Sequence, residues 1–146
     1  MARDPSNLVS AALRHVRDAE FLLDQTHGRV SPDQAFHLAG FGPECARKAT
    51  LTVDWFDKAI GHRMDEKIED LLTTALALDP VAARYDTHSW SERHPALAGW
   101  TEQSRYDRTG TRSQATAEAL VSEARQIVDG LTLALWMDGR LPGGLP

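Results

Sequence analysis

The chain has 146 residues and a mass of 16.1 kDa, which suits a single domain with one hydrophobic core. Its 16 Lys and Arg residues against 21 Asp and Glu residues give a formal charge of −5, which argues against bulk binding of DNA. The single cysteine, Cys45, excludes an internal disulfide and a cysteine-rich zinc module. No apolar run approaches the roughly 20 residues that span a bilayer, and no signal-peptide pattern follows Met1. We therefore expect a cytoplasmic protein without membrane contact.

Two long helices are predicted in the first part of the chain. An Asp-Pro start and a Gly stop bound the first helix over residues 4–28. The second helix spans residues 31–61, from a Ser-Pro start to a Gly stop, with apolar residues at spacings of three and four. Pro43 lies inside this helix, so the pattern predicts either one bent helix or two short ones. Gly42 beside it predicts a close approach of a neighbouring helix.

The second part of the chain contains two more helices and an irregular segment. A third helix is predicted over residues 64–78, and a last one starts at the capping-box pattern of residues 111–114. Residues 84–112 form a long loop with a short helix inside it, and the Gly/Pro-rich residues 139–146 form a flexible tail. The sequence thus predicts one all-α domain over residues 1–138. Its expected architecture is an antiparallel up-and-down four-helix bundle.

Charge is distributed unevenly along the chain. Residues 31–83 contain nine acids and five bases, whereas residues 84–112 contain four acids and five bases, all of them Arg. An Arg guanidinium binds a phosphate or carboxylate through two parallel hydrogen bonds, so this segment is a candidate anion site and a local contact for RNA. The structural alternative is that these Arg residues pair with the interleaved acids and hold the loop in place.

Three motifs occur in an order and spacing typical of one family of helical proteins. They are LAGFGPECARKA at residues 38–49, GHRM at residues 61–64 and WTEQSRYD at residues 100–107. Together they resemble the HEPN superfamily of small helical bundles over most of the chain. The resemblance implies an up-and-down bundle that forms a homodimer. Many relatives act on RNA or belong to toxin–antitoxin and phage-defence systems, often beside a nucleotidyltransferase-like partner.

The residues that the resemblance would make catalytic depart from the family pattern. Nuclease members carry an Arg, four to six further residues and then a His. Here three residues separate Arg84 from His88, which is one too few, and no His follows His94. Arg84 and His88 would still share a face of a helix, because they lie four residues apart. A divergent metal-independent endoribonuclease is therefore an alternative function, with His88 as acid or base and Arg84 on the charged phosphorane.

A pair of charged residues on the second helix is the first candidate for a binding site. Glu44 and Lys48 lie four residues apart, a spacing typical of an intrahelical ion pair worth a few tenths of a kcal/mol. If the pair is buried, we expect it to orient Arg105 or His62 within a polar network of the bundle.

The run Arg105-Tyr106-Asp107 is the second candidate, because it places a guanidinium near the start of the last helix. It could bind an anionic ligand there, or anchor the loop, with Tyr106 packed and Arg105 bonded to carbonyls or to Glu44.

Cys45 lies on the apolar stripe, which favours a core position over a nucleophile. The six His residues lack the repeated Glu-x-x-His spacing of bundle metal centres, so no metal or other cofactor is predicted.

The leading hypothesis is a dimeric HEPN-like binding or regulatory protein without a standard nuclease site, accessory to an RNA-linked, toxin–antitoxin or phage-defence system. Its expected partners are a second copy, a nucleotidyltransferase-like antitoxin or another protein, and RNA through the local Arg patch. A third hypothesis is a small-molecule sensor with its pocket between the long loop and the second helix. Trp90 and Trp100 are expected either to fasten the loop over the bundle or to form a dimer surface.

Overall fold

The computed structural model describes residues 4–146, and every regular element in that range is helical. The predicted all-α class is therefore confirmed for the described part of the chain. None of its helices combines the length and the apolar character that a membrane span requires. The helices are α1 (Pro5–Leu23), α2 (Pro32–Thr50), α3 (Asp54–Ile60), α4 (Glu69–Leu78), α5 (Trp90–Arg93), α6 (Pro95–Ala98) and α7 (Gln114–Met137). Single 3₁₀ turns lie at Gln25–His27, Glu66–Ile68, Ala82–Arg84 and Glu102–Tyr106.

Both ends of α1 follow from its local sequence. Asp4 caps the helix by accepting a hydrogen bond from the backbone N–H of Ser6 at 2.9 Å. Pro5 has no backbone N–H, so it leaves no donor unsatisfied in the first turn. At the other end, the ring of His27 contacts the carbonyl oxygen of Phe21 and stacks on the Phe21 ring. His27 thus satisfies a carbonyl that the helix end leaves free.

The second helix differs from its prediction. α2 passes through Pro43 without interruption and ends at Thr50, and α3 begins as a separate helix at Asp54. The predicted continuous helix over residues 31–61 is therefore wrong in its second half. The alternative of two short helices divided at Pro43 is wrong as well.

The break after α2 has a tertiary cause. The backbone N–H and the hydroxyl of Thr52 both donate to the carboxylate of Asp79, at 2.7 Å each, so this N–H is not available to extend the helix. From the end of α7, Arg140 donates to the carbonyl oxygens of Thr50 at 2.9 Å and Ala49 at 3.3 Å. Side chains from distant parts of the chain thus satisfy the last turn of α2.

The main core lies where α1, α2 and α7 pack together. Gly42 makes this packing close, because a Cβ on Gly42 would lie 2.7 Å from Val16 and 3.3 Å from Val128. The close approach predicted at Gly42 is therefore confirmed. A second, smaller core joins α3 to α4 and the turn before α4, through Phe56, Ile60, Ile68, Leu72 and Ala75.

The irregular segment is fastened to the bundle by its two tryptophans, which are both buried. The indole N–H of Trp100 donates to the carbonyl oxygen of His37 on α2 at 2.9 Å, and the indole packs over Gly40. The N-terminal amides of α6, from Ala96 and Leu97, donate to the carboxylate of Glu123 on α7. The segment contains two short helices, α5 and α6, in place of the single one predicted.

The two ends of α7 are also held by other parts of the chain. Ser113 is the N-cap and accepts from the backbone N–H of Thr116. Before it, Asp33 of α2 accepts hydrogen bonds from the N–H groups of Gly110 and Arg112 at 2.7 and 2.8 Å. After α7, Leu141 is buried and Arg140 is bonded to α2, so the first residues of the predicted tail belong to the bundle.

Candidate functional site

A buried carboxylate on α2 is the centre of a cluster of charged and polar side chains. Glu44 is only 4% exposed. Its Oε1 lies 2.7 Å from Nζ of Lys48, one turn along the helix, and 2.8 Å from Nδ1 of His62 in the loop after α3. Lys48 also lies 3.2 Å from the carboxylate of Asp57 on α3. We refer to Glu44, Lys48, Asp57 and His62 as the Glu44 cluster.

The ammonium group of Lys48 joins two carboxylates in this cluster. Burial alone would lower the pKa of Lys48, but its hydrogen bond to Glu44 and the negative charges of Glu44 and Asp57 outweigh burial and raise the pKa. Lys48 is therefore a cation at neutral pH, and its charge is neutralised inside the protein. The buried pair and His62 form the polar network that the sequence predicts for a buried Glu44 and Lys48.

The exposed edge of the Glu44 cluster is His62, whose side chain is half exposed. The Phe41 ring on α2 lies beside it and is also flanked by His15 and His37, with ring centroids 5.5 and 5.1 Å away. Burial is the main cause that lowers the pKa of both His15 and His37, so these two rings are neutral at pH 7. Nδ1 of His37 is buried without a hydrogen-bond partner.

Cys45 follows Glu44 in the chain, and its thiol is poorly reactive. Burial, together with the negative charge of Glu44, raises the pKa of the Cys45 thiol to about 11. The thiolate is scarce at neutral pH, which agrees with the packing role predicted for this residue rather than with a nucleophile.

The run Arg105-Tyr106-Asp107 forms a separate surface feature. The Arg105 guanidinium lies over the Tyr106 ring, 4.8 Å from its centroid, and Asp107 pairs with Arg112 at 3.1 Å. Tyr106 is 71% exposed, so it does not pack as the loop-anchor alternative expects. Within residues 4–146 no hydrogen bond joins Arg105 to Glu44. The candidate binding residues therefore fall into two groups.

The two candidate nuclease residues point to different carboxylates. Nη2 of Arg84 lies 3.4 Å from Asp138 at the end of α7, whereas Nδ1 of His88 lies 3.5 Å from Asp86. Both side chains are more than half exposed. Only Arg84 lines the cavity described below. Each side chain thus has its own acidic neighbour.

Arg47 is a buried cation that the sequence interpretation missed. Its Nη2 donates to the carbonyl oxygen of Thr87 at 2.9 Å, and its guanidinium stacks on the Trp90 ring at 3.9 Å. Burial lowers the pKa of Arg47 to about 10, so it stays charged at neutral pH. The helical spacing carried a signal for this position, because residue 47 shares a face with Gly40, Pro43 and Glu44.

A cavity of about 330 Å³ lies between the irregular segment and α7. The small-molecule hypothesis places a pocket between this segment and the second helix, whereas this cavity borders the last one. Its walls come from Arg84, Tyr85, Asp86, Trp90, Arg93 and His94 on one side and from Gln126, Ile127, Gly130, Leu131 and Ala134 on the other.

No group of three or more His, Cys, Asp or Glu side chains within residues 4–146 is placed to hold a metal ion. Comparisons with family models, with curated proteins and with solved structures find no significant match to this chain.

Proposed function

We propose that the chain is a HEPN-like binding or regulatory protein that works as a homodimer, as an accessory component of an RNA-linked, toxin–antitoxin or phage-defence system. The observation that carries this proposal is the Glu44 cluster. Two of the three motifs that resemble the HEPN superfamily, at residues 38–49 and 61–64, contribute Glu44, Lys48 and His62 to one contact. If the likeness of these two motifs to the family were a coincidence, nothing would require their polar side chains to contact each other.

The finer architecture is part of the same proposal. We take α1, α2, α4 and α7 as the four main helices of an up-and-down bundle, with α3 and the segment before α7 as additions. The support is that α1, α2 and α7 share the main core. α4 packs with α3 in the second core.

The proposed role is binding rather than RNA cleavage. A nuclease of this type needs its His and Arg directed at the same phosphate. Here Arg84 is paired with Asp138 and His88 lies beside Asp86, so within one chain the two side chains have separate carboxylate partners. RNA contact would instead come from exposed Arg side chains such as Arg105, and a nucleotidyltransferase-like protein is the partner that the resemblance favours.

A stripe of exposed apolar residues on α7 supports the homodimer. Leu133, Trp136 and Met137 are 49%, 45% and 72% exposed, and their spacing of three and four places them on one face of the helix. Exposed apolar side chains that form a continuous stripe are typical of protein interfaces. We propose that a second copy covers this face.

Light scattering of the full chain over a range of concentrations tests the homodimer. We expect twice the 16.1 kDa of one chain for the wild type. Trp136→Asp should give the monomer mass with unchanged helical circular dichroism. Trp55→Asp, at an exposed tryptophan on α3, is the matched control and should stay dimeric. A wild type that is monomeric at all concentrations contradicts this part of the proposal.

A further inference from the structure

The cavity between the irregular segment and α7 has an apolar floor. Ile127, Leu131 and Ala134 line it from α7, and Trp90 lines it from the irregular segment. Its volume of about 330 Å³ is in the range of small-molecule sites, which starts near 300 Å³. An apolar floor of this kind gains free energy when it covers an aromatic or branched aliphatic group.

The rim of the cavity carries a positive balance of charge. Arg84 and Arg93 contribute two guanidinium groups, whereas Asp86 is the one carboxylate that lines it in the described residues. Burial is the main cause that lowers the pKa of His94, so its ring is neutral at pH 7 and adds no charge. The residues that line the rim therefore carry one positive charge in excess, although Asp138 lies beside Arg84 just outside them and the chain as a whole is negative.

Of the two guanidinium groups, that of Arg84 is held less tightly by its carboxylate partner. Arg93 is held by Asp86 through two hydrogen bonds of 2.8 and 3.1 Å. The contact of Arg84 with Asp138 is longer, at 3.4 Å, and the same carboxylate already accepts a 2.6 Å hydrogen bond from the Tyr85 hydroxyl. An anionic group could replace Asp138 as the partner of Arg84 at small cost, because the pair is 59% and 34% exposed.

Gly130 keeps the α7 wall open. A glycine inside a helix is less favourable than an alanine at the same position. A Cβ at this position would meet no atom within 4 Å, so no neighbouring side chain requires a glycine there. A larger side chain at this position would extend into the space that it lines.

We propose that this cavity binds a small amphipathic anion, whose apolar ring or branched chain lies on the α7 floor and whose carboxylate or phosphate contacts Arg84. The site does not involve the Glu44 cluster or the exposed stripe of α7. Ligand binding can therefore be measured separately from the oligomeric state, although Met137 of the stripe lies on the same helix face as Gly130 and Ala134 of the cavity.

Two matched pairs of probes test the proposal by isothermal titration calorimetry with the full chain. 1-Naphthaleneacetate is compared with neutral 1-naphthaleneacetamide, and 1-naphthyl phosphate with 1-naphthol. We expect at least one anion to bind about tenfold more tightly than its neutral partner, a difference of about 1.4 kcal/mol. The tighter anion identifies whether the natural head group is a carboxylate or a phosphate.

Variants locate the binding. Gly130→Leu should weaken the tighter anion by about tenfold or more because the added side chain fills the cavity. Ala119→Leu adds a leucine at an exposed position of the same helix outside the cavity and should leave the affinity unchanged. Arg84→Gln should weaken the anion and leave its neutral partner unaffected. Thermal unfolding of each variant confirms that it is folded.

Three results would overturn the proposal. The first is that neither anion shows saturable binding up to about 1 mM, a free energy weaker than about −4 kcal/mol. The second is that both anions bind no more tightly than their neutral partners. The third is wild-type affinity for the tighter anion in a folded Gly130→Leu variant. If the chain forms a stable dimer but binds no ligand, this inference fails and the homodimer of the proposed function stands.

Discussion

The Glu44 cluster and the rim of the cavity differ in how far their charges are withdrawn from water. The side chains of Glu44 and Lys48 are 6% and 12% exposed, whereas those of Arg84 and Arg93 are 59% and 40% exposed. Removal of one partner from a buried pair leaves an uncompensated charge, so such a pair holds the fold. An exposed pair contributes little and can exchange its partner for a ligand. The first region therefore positions the helices, whereas the second is where we propose that a ligand binds.

The largest effect is expected at Arg47, the buried cation of α2. Arg47→Ala leaves the Thr87 carbonyl without its donor and removes the stacking on Trp90, so we expect a loss of about 3–5 kcal/mol in the free energy of unfolding. Urea unfolding measures it. The matched variant Arg84→Ala, at the exposed rim, should cost at most about 0.5 kcal/mol. Equal effects of the two variants would remove the distinction between the regions.

A pair of helical glycines gives the next contrast. A Cβ on Gly40 would lie 2.2 Å from the Trp100 indole, so Gly40→Ala should destabilise the protein by about 3 kcal/mol through overpacking. Gly130→Ala meets no atom and should stabilise it by about 1 kcal/mol through helix propensity. Thermal unfolding of both variants checks the opposite signs. A neutral Gly40→Ala would mean that Trp100 is not fixed against α2.

A substitution of Glu44 that keeps the shape of the side chain should lower the stability less than the changes at Arg47 and Gly40. Glu44→Gln removes the charge that Lys48 and His62 share, although Lys48 keeps Asp57, so we expect a loss of about 2 kcal/mol in urea unfolding. Glu92→Gln, at an exposed position, is the control and should change stability by less than about 0.5 kcal/mol. A wild-type stability for Glu44→Gln would show that the cluster does not hold the fold.

Substitution of Asp79, at the break after α2, should lower the stability by a smaller amount that depends on pH. Burial alone would raise the pKa of Asp79, but hydrogen bonds from Thr52 and Ala82 outweigh it and lower the pKa below the usual 3.8. Because the folded protein has the lower pKa, this stabilisation is present above the unfolded pKa and is lost as pH falls through the folded pKa. Asp79→Asn should therefore cost about 1–2 kcal/mol at pH 7.

Thermal unfolding of Asp79→Asn and of the wild type at pH 7 and near pH 2 checks the sign. The difference between the two proteins should shrink as the pH falls. A difference that grows at low pH would contradict a lowered pKa for Asp79.

Local sequence was sufficient for much of the fold. The starts of α1 and α2 lie at the predicted Asp-Pro and Ser-Pro pairs, because the fixed φ of proline favours the first helical position. Asp4 also caps α1 through its side chain, whereas the side chain of Ser31 makes no capping hydrogen bond. The close approach at Gly42 also follows from the residue itself, since only the missing Cβ admits Val16. Likewise, Glu44 and Lys48 meet because their spacing is that of one helical turn.

The features that the sequence did not predict depend on contacts between distant residues. α2 ends at Thr50 because Asp79, 27 residues beyond Thr52, accepts its hydrogen bonds. Arg47 was missed because charge alone suggests a surface position, whereas Thr87 supplies an acceptor 40 residues away. Arg105 was expected near Glu44, but a loop position fixes no direction for a long side chain.

The central claim is that this chain binds its partners and does not cleave RNA. The most direct test is to incubate mixed single-stranded RNA with the full chain in a chelating buffer. Products are resolved on native and denaturing gels, with His88→Ala as the control. We expect a shift on the native gel and intact RNA on the denaturing gel, the same for both proteins. Fragments that the wild type produces and His88→Ala does not would contradict the claim and favour the endoribonuclease that uses Arg84 and His88.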